Sequence, residues 1–248
     1  TLDGTLFPYT TLFRSTIFNK NSLTEIAHSG RLLSALADLT VIVVIYLTVQ
    51  LLEQQLKKNK IKIHPHTKLW ASLVYTLSVL PIQQAHFFTV DTFANLFIFT
   101  SFYFSLNYFF NKKFNSLLLA GLFSGFAIGS KISGIFIIPL NLSLICLPYL
   151  LPINLKHIFH KKIIKKILHA FLASSTVILL TYFGVRLSSP YMFKTASLIN
   201  PTLSPEFIKN ITELKAWDGD DVWYPPGVQW INRPVTFGIQ NLIFFGLG

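Results

Sequence analysis

Residues 120–139 have the sequence AGLFSGFAIGSKISGIFIIP, and this stretch decides the fold because two apolar runs meet there at a single charge. Gly121, Gly125 and Gly129 recur every four residues, which clears one face of a helix for close packing against a neighbour. Lys131 follows that face directly. Its ammonium either reaches the membrane interface along its aliphatic stem or neutralises a lipid phosphate, and both interpretations stay open.

The composition of the chain indicates a membrane protein. Of its 248 residues, 52% are hydrophobic and only 12% are charged, which is too apolar for an ordinary soluble domain of this length. The net charge of +11 would suggest a nucleic acid partner in a soluble protein, but these lysines stand in short segments between apolar runs, where they orient helices. The one cysteine, Cys146, lies within an apolar run, so we expect neither a disulfide framework nor a cysteine metal cluster.

Seven apolar segments are candidates for membrane passes, and we expect an all-α, polytopic transmembrane helical bundle. A helix satisfies its own backbone polar groups in lipid, and about 20 residues cross roughly 30 Å of hydrocarbon. The predicted segments are Gly30–Leu52, Leu69–His86, Asp91–Phe110, Ser116–Gly129, Ile132–Leu151, Ile167–Val185 and, as the start of a further helix, Val235 onward.

Basic residues predict the orientation of these helices. If successive helices alternate in direction, the twelve lysines of segments 53–68, 111–113 and 152–166 fall on one side, which the positive-inside rule makes cytoplasmic. The turn at Lys131 and segment 187–234 then open on the other side. We therefore expect a multi-pass protein of the cell membrane with an extracytoplasmic 187–234 segment.

Both ends of the chain differ from its middle. Residues 5–15, TLFPYTTLFRS, resemble the translation of a sequencing-library adapter, so we expect 1–15 to be an artefact and the native sequence to start near Thr16. The last residues, NLIFFGLG, make only about half of a membrane pass. We expect truncation at both ends. The predicted parts are a bundle of about six helices in 16–186, an outer segment in 187–234 and the start of a further helix in 235–248.

Two charges in the first predicted helix are candidates for substrate binding. Arg31 and Asp38 are seven residues apart, which places them on one helix face roughly 10 Å apart along the axis. A charge at the centre of the bilayer costs about 2.5 to 3.5 kcal/mol on insertion scales, so each needs a reason to be there. They either bracket a polar headgroup or form a structural pairing that holds the helix in the bundle.

His86 and Asp91 flank the next outward connection, HFFTVDT. Asp91 either caps free backbone N–H groups at the start of a helix or holds a sugar or acceptor at the membrane surface. For His86, a packed and hydrogen-bonded side chain is favoured over a ligand-binding role.

The outer segment 187–234 is rich in tryptophan and tyrosine, which prefer the headgroup level, so we expect it to lie along the membrane. The segment is either an aromatic interface belt or the place where Gln229, Trp230 and Arg233 line the entrance for a lipid-linked substrate. The acids of WDGDD lack the spacing and terminal glutamate of a calcium loop, so we predict no metal site there.

Four blocks occur in a characteristic order along residues 29–248. They are SGRLLSALADLTVIVVIYL, then SVLPIQQAHFFTVDTFANLFIF, then AGLFSGFAIGSKISGIFIIP, then SPYMF with LINP and YPPGVQWINRP. Each alone is unspecific. Together they resemble the bacterial membrane glycosyltransferases related to protein O-mannosyltransferases, the polyprenyl-phosphate-sugar-dependent GT-C group.

This resemblance implies a many-helix GT-C bundle that transfers a mannose-like sugar from a polyprenyl-phosphate carrier to a protein, lipid or glycan acceptor at the outer face. It also implies an acidic first outer loop that supplies the general base. That base is expected upstream of Thr16, because the remnant 16–29 contains Glu25 as its only acid. We therefore assign no catalytic residue and expect this piece to be inactive by itself.

The resemblance also implies roles for residues that are present. Asp91 aligns with the acid of the family's second outer loop, a sugar-side ligand. Arg31, Lys131 and Arg233 are candidates for balancing the donor phosphate, because transfer needs cations to stabilise the departing lipid phosphate. Beyond the lipid-linked sugar donor, no cofactor or metal is expected, and the expected partners are the bilayer, the donor and the acceptor.

Two other classes of protein stay open on the residues alone. A transporter or lipid-carrier flippase subunit also needs charges within a helical bundle, although transporters usually place them near the midplane in repeated halves. A purely structural membrane subunit is the third possibility. In that case Arg31, Asp38 and Lys131 would be replaceable by apolar residues without loss of activity.

Overall fold

A computed structural model describes residues 23–150, 161–195, 197–216, 233–234 and 236–246. In these residues the chain forms nine α-helices and no β-sheet, apart from one isolated bridge between Phe193 and Leu203. The predicted all-α class is confirmed. The helices are α1 (Leu23–Lys58), α2 (Thr67–Leu77), α3 (Val79–His86), α4 (Val90–Asn111), α5 (Phe114–Ser130), α6 (Ile137–Leu150), α7 (Lys161–Ser188), α8 (Pro205–Ala216) and α9 (Thr236–Asn241).

Several of these helices have the length and composition of membrane spans. Among the described residues, four segments qualify, and α5 is a shorter apolar helix of 17 residues. Large apolar side chains remain exposed along them, with Leu179 on α7 at 67%, as expected where lipid tails are the solvent. The protein is therefore a polytopic membrane protein, as predicted. The four segments are Ala27–Lys58, Val90–Asn111, Ile132–Tyr149 and Ile163–Ser188.

Two helices are longer than predicted. α1 begins at Leu23 and ends at Lys58, and α7 begins at Lys161, so the predicted basic loops 53–68 and 152–166 are partly helical. Lysine is a good helix former, and its long side chain carries the charge to water while the backbone continues as helix. The lysines therefore extend the membrane helices instead of ending them.

The prediction of one continuous helix over Leu69–His86 is wrong, because the chain forms two helices that meet at Ser78. Ser78 has an extended backbone, with φ −68° and ψ 130°. Pro81 lies in the first turn of α3, where proline is tolerated, whereas in a continuous helix its ring would clash with the carbonyl of Leu77. The Ser78 hydroxyl donates to the carbonyl of Val74 at 2.8 Å and ends α2 neatly.

Successive passes alternate in direction, with α2 and α3 together forming one pass. At one end, which we call the Asp91 end, Gly30 of α1 lies directly against the Phe88 side chain, which a Cβ on Gly30 would approach to 2.6 Å. At the other, which we call the lysine end, the Lys112 ammonium lies 4.7 Å from the ring centroid of Tyr149. The described parts of the three predicted basic segments share the lysine end, and the compartment that each end faces remains a prediction.

The predicted glycine row of α5 packs against α7. A Cβ on Gly121 would lie 2.8 Å from Cβ of Leu180, and one on Gly125 would collide with the backbone carbonyl of Thr181. Gly184 provides the matching gap on α7, since a Cβ there would lie 2.5 Å from a backbone carbonyl of α5. This seam confirms the packing role that the four-residue spacing predicted.

A buried amide joins α4, α5 and α6 in the interior. The Asn141 side-chain nitrogen donates to the hydroxyls of Ser101 at 2.7 Å and Ser124 at 2.8 Å, and all three residues are completely buried. Hydrogen bonds of this kind hold helices together where lipid offers no hydrophobic driving force between them.

Candidate functional site

The Asp91 end contains an ion pair between two predicted site residues. Asp91 lies in the first turn of α4, and Lys131 directly follows α5, where its extended backbone ends the helix. The Lys131 ammonium donates to Oδ1 of the Asp91 carboxylate. The sequence predicted separate roles for the two side chains, and the structure brings them into one site.

This ion pair is open to exchange with a ligand. The Asp91 and Lys131 side chains are 40% and 47% exposed, and an ion pair exposed to this degree contributes only about 0–1 kcal/mol to stability. The carboxylate can accept hydrogen bonds from sugar hydroxyls, and the ammonium can donate to phosphate oxygens. Asp91 lies in the first turn of α4, at the positive end of the helix dipole as the capping alternative predicted, but the N-cap is Thr89 and the hydrogen bond described for the Asp91 carboxylate comes from Lys131.

His86 is the last residue of α3 and lies close to this pair in the chain. Its Nδ1 is 2.7 Å from the carbonyl of Ile82, but the side chain is exposed, so the expected hydrogen bond is confirmed and the expected packing is wrong. An open pocket of about 620 Å³ adjoins it. The pocket is lined by Ile82, Gln83, Gln84, His86 and Phe87.

Gln84 shapes the connection between α3 and α4, and sequence reasoning missed it. Its side-chain oxygen accepts from the Thr89 hydroxyl at 2.8 Å, and its backbone carbonyl accepts from Thr92 at 3.3 Å. The start of α4, and with it Asp91, is therefore tied to the end of α3. A glutamine within an apolar segment was the available signal, since buried amides usually bond to something specific.

Asp38 has a structural partner, although not the predicted one. Its carboxylate accepts a hydrogen bond from the Tyr75 hydroxyl at 2.7 Å, and the Asn95 amide donates to the same hydroxyl at 2.9 Å. The relay joins α1, α2 and α4. Within the described length of α1, no salt bridge joins Arg31 to Asp38, and Arg31 is exposed near the Asp91 end.

The remaining predicted site residues belong to the far part of the chain. Arg233 is exposed, and its guanidinium carbon lies 5.0 Å from the ring centroid of Phe237 at the start of α9. Gln229 and Trp230 lie outside the described residues, as do the acids of WDGDD. Among the residues that are described, no group of three or more histidine, cysteine, aspartate or glutamate side chains could hold a metal ion.

Arg186, two residues before the end of α7, is a tightly held cation at this end, and sequence reasoning missed it. It is only 4% exposed, and its guanidinium donates to the Tyr182 hydroxyl at 3.0 Å, to the carbonyl of Thr195 at 2.8 Å and to the carbonyl of Asn200. It also stacks on Phe193, with 3.7 Å between the guanidinium carbon and the ring centroid. An arginine at the border of an apolar run was the signal, but neither the predicted helix nor the outer segment included it.

These features define a multi-pass helical membrane protein with an accessible ion pair at one end of its bundle. A family model described as dolichyl-phosphate-mannose-protein mannosyltransferase matches residues 4–187, which is most of the chain. The chain belongs to this family, and the resemblance found in its sequence blocks is confirmed. Comparisons with curated proteins and with solved structures gave no match.

Family membership makes the protein a glycosyltransferase of the mannosyltransferase type. The match includes Arg31, Asp38, His86, Asp91 and Lys131 and ends at α7. It therefore favours a transferase over the transporter, flippase or structural subunit that composition alone left open.

Proposed function

We propose that the protein transfers a mannose-like sugar from a polyprenyl-phosphate carrier to a protein or glycan acceptor, and that the sugar and phosphate are held at the Asp91 end of the bundle. The observation that supports this most directly is the half-exposed Asp91–Lys131 pair, which joins the start of α4 to the end of α5. A carboxylate and an ammonium side by side match the two parts of a sugar phosphate.

Each member of the pair has a distinct task in this proposal. The Asp91 carboxylate accepts hydrogen bonds from the sugar hydroxyls and positions the ring. Lys131 donates to the phosphate, and its charge stabilises the negative charge that develops on the departing carrier. Arg31, exposed near the same end, is a second cation for the phosphate.

The orientation of the bundle is part of the proposal. The lysine end carries Lys57 and Lys58 in the last turn of α1 and Lys112 after α4, so the positive-inside rule directs it to the cytoplasm. The Asp91 end then faces the outer side, where the carrier presents its sugar.

The test compares Asp91→Asn with Glu213→Gln in the intact protein. Glu213 forms an exposed ion pair with Lys209 on α8 at 3.8 Å, so its neutralisation is a matched control for the loss of one surface charge. Transfer from polyprenyl-phosphate mannose is measured in proteoliposomes, together with donor affinity. We expect Asp91→Asn to lower kcat/KM about 10²-fold, by analogy with the loss of one transition-state contact, and Glu213→Gln to be neutral.

A charge exchange separates structure from function. The double variant Asp91→Lys, Lys131→Asp retains an ion pair, so we expect it to keep the thermal stability of the wild type while transfer stays low. Undiminished transfer and donor affinity in Asp91→Asn, or wild-type transfer in the exchanged variant, would limit Asp91 to a structural role.

A further inference from the structure

The loop that follows α7 turns back along that helix. α7 ends at Ser188, yet the loop bonds to Tyr182 and Arg186, whose Cα atoms lie about 9 Å and 3 Å below the helix end along its axis. Long side chains on a helix also point towards its N-terminus, which here is the lysine end. We name residues 193–195 and 197–203 the returning loop.

Several backbone polar groups of the returning loop bond to protein partners. Its carbonyls at Thr195 and Asn200 accept from Arg186, and its carbonyl at Leu198 accepts from the Tyr182 hydroxyl at 3.0 Å. The Lys194 amide also donates to the carbonyl of Thr202 at 2.9 Å. Non-helical backbone is tolerated at membrane depth only when its polar groups are satisfied by protein or water, and α7 supplies these donors.

Arg186 has an unusual role in this arrangement. Among the described residues no carboxylate pairs with this buried cation, and its partners are backbone carbonyls, one hydroxyl and an aromatic face. Burial of an arginine is costly unless its N–H groups find acceptors, and here the acceptors include two carbonyls of the loop backbone.

The tip of the returning loop is apolar and exposed. Ile199 is 91% exposed and Leu198 is 55% exposed. The tip is tied to α7 by the bond from the Tyr182 hydroxyl to the Leu198 carbonyl, and on that helix Leu179 and Leu187 are 67% and 55% exposed, so both the membrane span and the tip present apolar surface. Lys194 of the same loop is also exposed.

We propose that the returning loop is a re-entrant anchor, and that Leu198 and Ile199 insert into the hydrocarbon edge of the same leaflet that surrounds the end of α7. The occupant of this surface is bilayer lipid. Arg186 and Tyr182 are positioning residues that hold the loop backbone at that depth, and this role does not depend on the proposed sugar transfer.

The test labels one introduced cysteine, which is simple because the chain has a single native cysteine to remove. Cys146 is replaced by serine, and one new cysteine is introduced at Ile199 or, as a control, at Thr212, which is exposed on α8. Each is labelled with an environment-sensitive nitrobenzoxadiazole dye and reconstituted in phosphatidylcholine–phosphatidylglycerol vesicles. We expect the label at position 199 to show blue-shifted emission, strong quenching by nitroxide-labelled lipids and several-fold weaker quenching by iodide than the label at position 212.

A second variant tests whether the Tyr182 hydroxyl holds the returning loop, and it changes the fold little. Tyr182→Phe removes only the hydroxyl that bonds to Leu198 and Arg186, and we expect it to raise iodide quenching at position 199 while the label at position 212 is unchanged. Equal iodide quenching at both positions would overturn the proposal. Protection of position 199 from iodide and from the lipid nitroxide alike would also overturn it, because the tip would then be covered by protein.

Discussion

Lys131 and Lys112 both follow the last residue of a membrane helix, but their surroundings differ. Lys131, at the Asp91 end, pairs with a carboxylate on the neighbouring helix and is half exposed. Lys112, at the lysine end, lies over aromatic rings, with its ammonium 4.7 Å from the ring centroid of Tyr149 and 5.2 Å from that of Tyr108. The hydroxyls of these two tyrosines are 2.8 Å apart.

The two lysines therefore have different contacts, an exposed ion pair for Lys131 and aromatic rings for Lys112. A half-exposed ion pair costs little to open, whereas a cation against several rings is held by contacts that no small ligand replaces. A substrate site therefore fits the Asp91 end, and the Lys112 contacts instead fix the α4–α5 turn against α6.

The largest effect is expected from disturbing the seam between α5 and α7, because α5 connects the two ends. Gly125→Leu would force a side chain into the backbone of Thr181 and Gly184, and we expect a loss of about 3 kcal/mol of stability. The free energy of unfolding, measured in bicelles, gives this loss. Ser143→Leu, which adds a leucine at an exposed position of α6, is the control and should be neutral. A stable Gly125→Leu protein would contradict the close seam.

The next prediction sets the two lysines directly against each other. Lys131→Met removes the partner of Asp91 and should lower sugar transfer by the intact protein about 10²-fold, whereas Lys112→Met should leave transfer close to wild type. The measurement is the initial rate of sugar transfer from a polyprenyl-phosphate mannose donor for each variant and for the wild type. Equal losses of transfer activity in both variants would contradict a substrate site at the Asp91 end alone.

A smaller effect is expected at the lysine end. Tyr149→Phe removes the hydrogen bond to Tyr108 but keeps the ring beneath Lys112, so we expect a loss of about 1 kcal/mol of stability and no change in transfer. Tyr103→Phe is the matched control, since the Tyr103 hydroxyl forms no hydrogen bond with the residues described here. Equal stability of both variants would show that the tyrosine pair contributes nothing.

The smallest effect concerns the charge of Lys112. Partial burial of the ammonium against the aromatic rings lowers the pKa of Lys112 from 10.5 to about 8, although the residue as a whole is exposed. Between these two pH values the folded chain binds fewer protons than the unfolded chain, so stability should rise slightly with pH across that window. Acylation followed by mass spectrometry should give Lys112 a reactivity that rises around pH 8. Identical pH profiles for Lys112 and Lys113 would contradict the burial.

Apolar runs predicted most of the helices, because the length of hydrocarbon to be crossed is a strong constraint on sequence. The glycine row predicted the α5–α7 seam, because small residues at a four-residue spacing have few other uses within a membrane helix. The break at Ser78 was missed. Pro81 was visible in the sequence, but whether a proline kinks a helix or begins a new one depends on where the freed carbonyl finds a partner.

The candidate site was predicted residue by residue but not as a unit. Asp91 and Lys131 are forty residues apart, and their contact depends on the relative height of α4 and α5, which a pattern of apolar residues does not set. Glu53 was missed for a related reason. It is only 5% exposed and accepts a hydrogen bond from the Lys68 amide at 3.1 Å, which ties the start of α2 to α1, although its sequence context resembles a solvated loop.

The interruption at Ser78 divides one membrane pass into two rigid pieces with a joint between them. The piece at the Asp91 end, α3, carries Gln84 and His86, and the piece at the lysine end, α2, carries Tyr75 and its bond to Asp38. Because no continuous ladder of helical hydrogen bonds crosses the joint, the two pieces need not share one axis, so α2 is fastened to α1 through Tyr75 while α3 is fastened to the start of α4 through Gln84. A straight helix in this place would have to meet both sets of neighbours with a single direction.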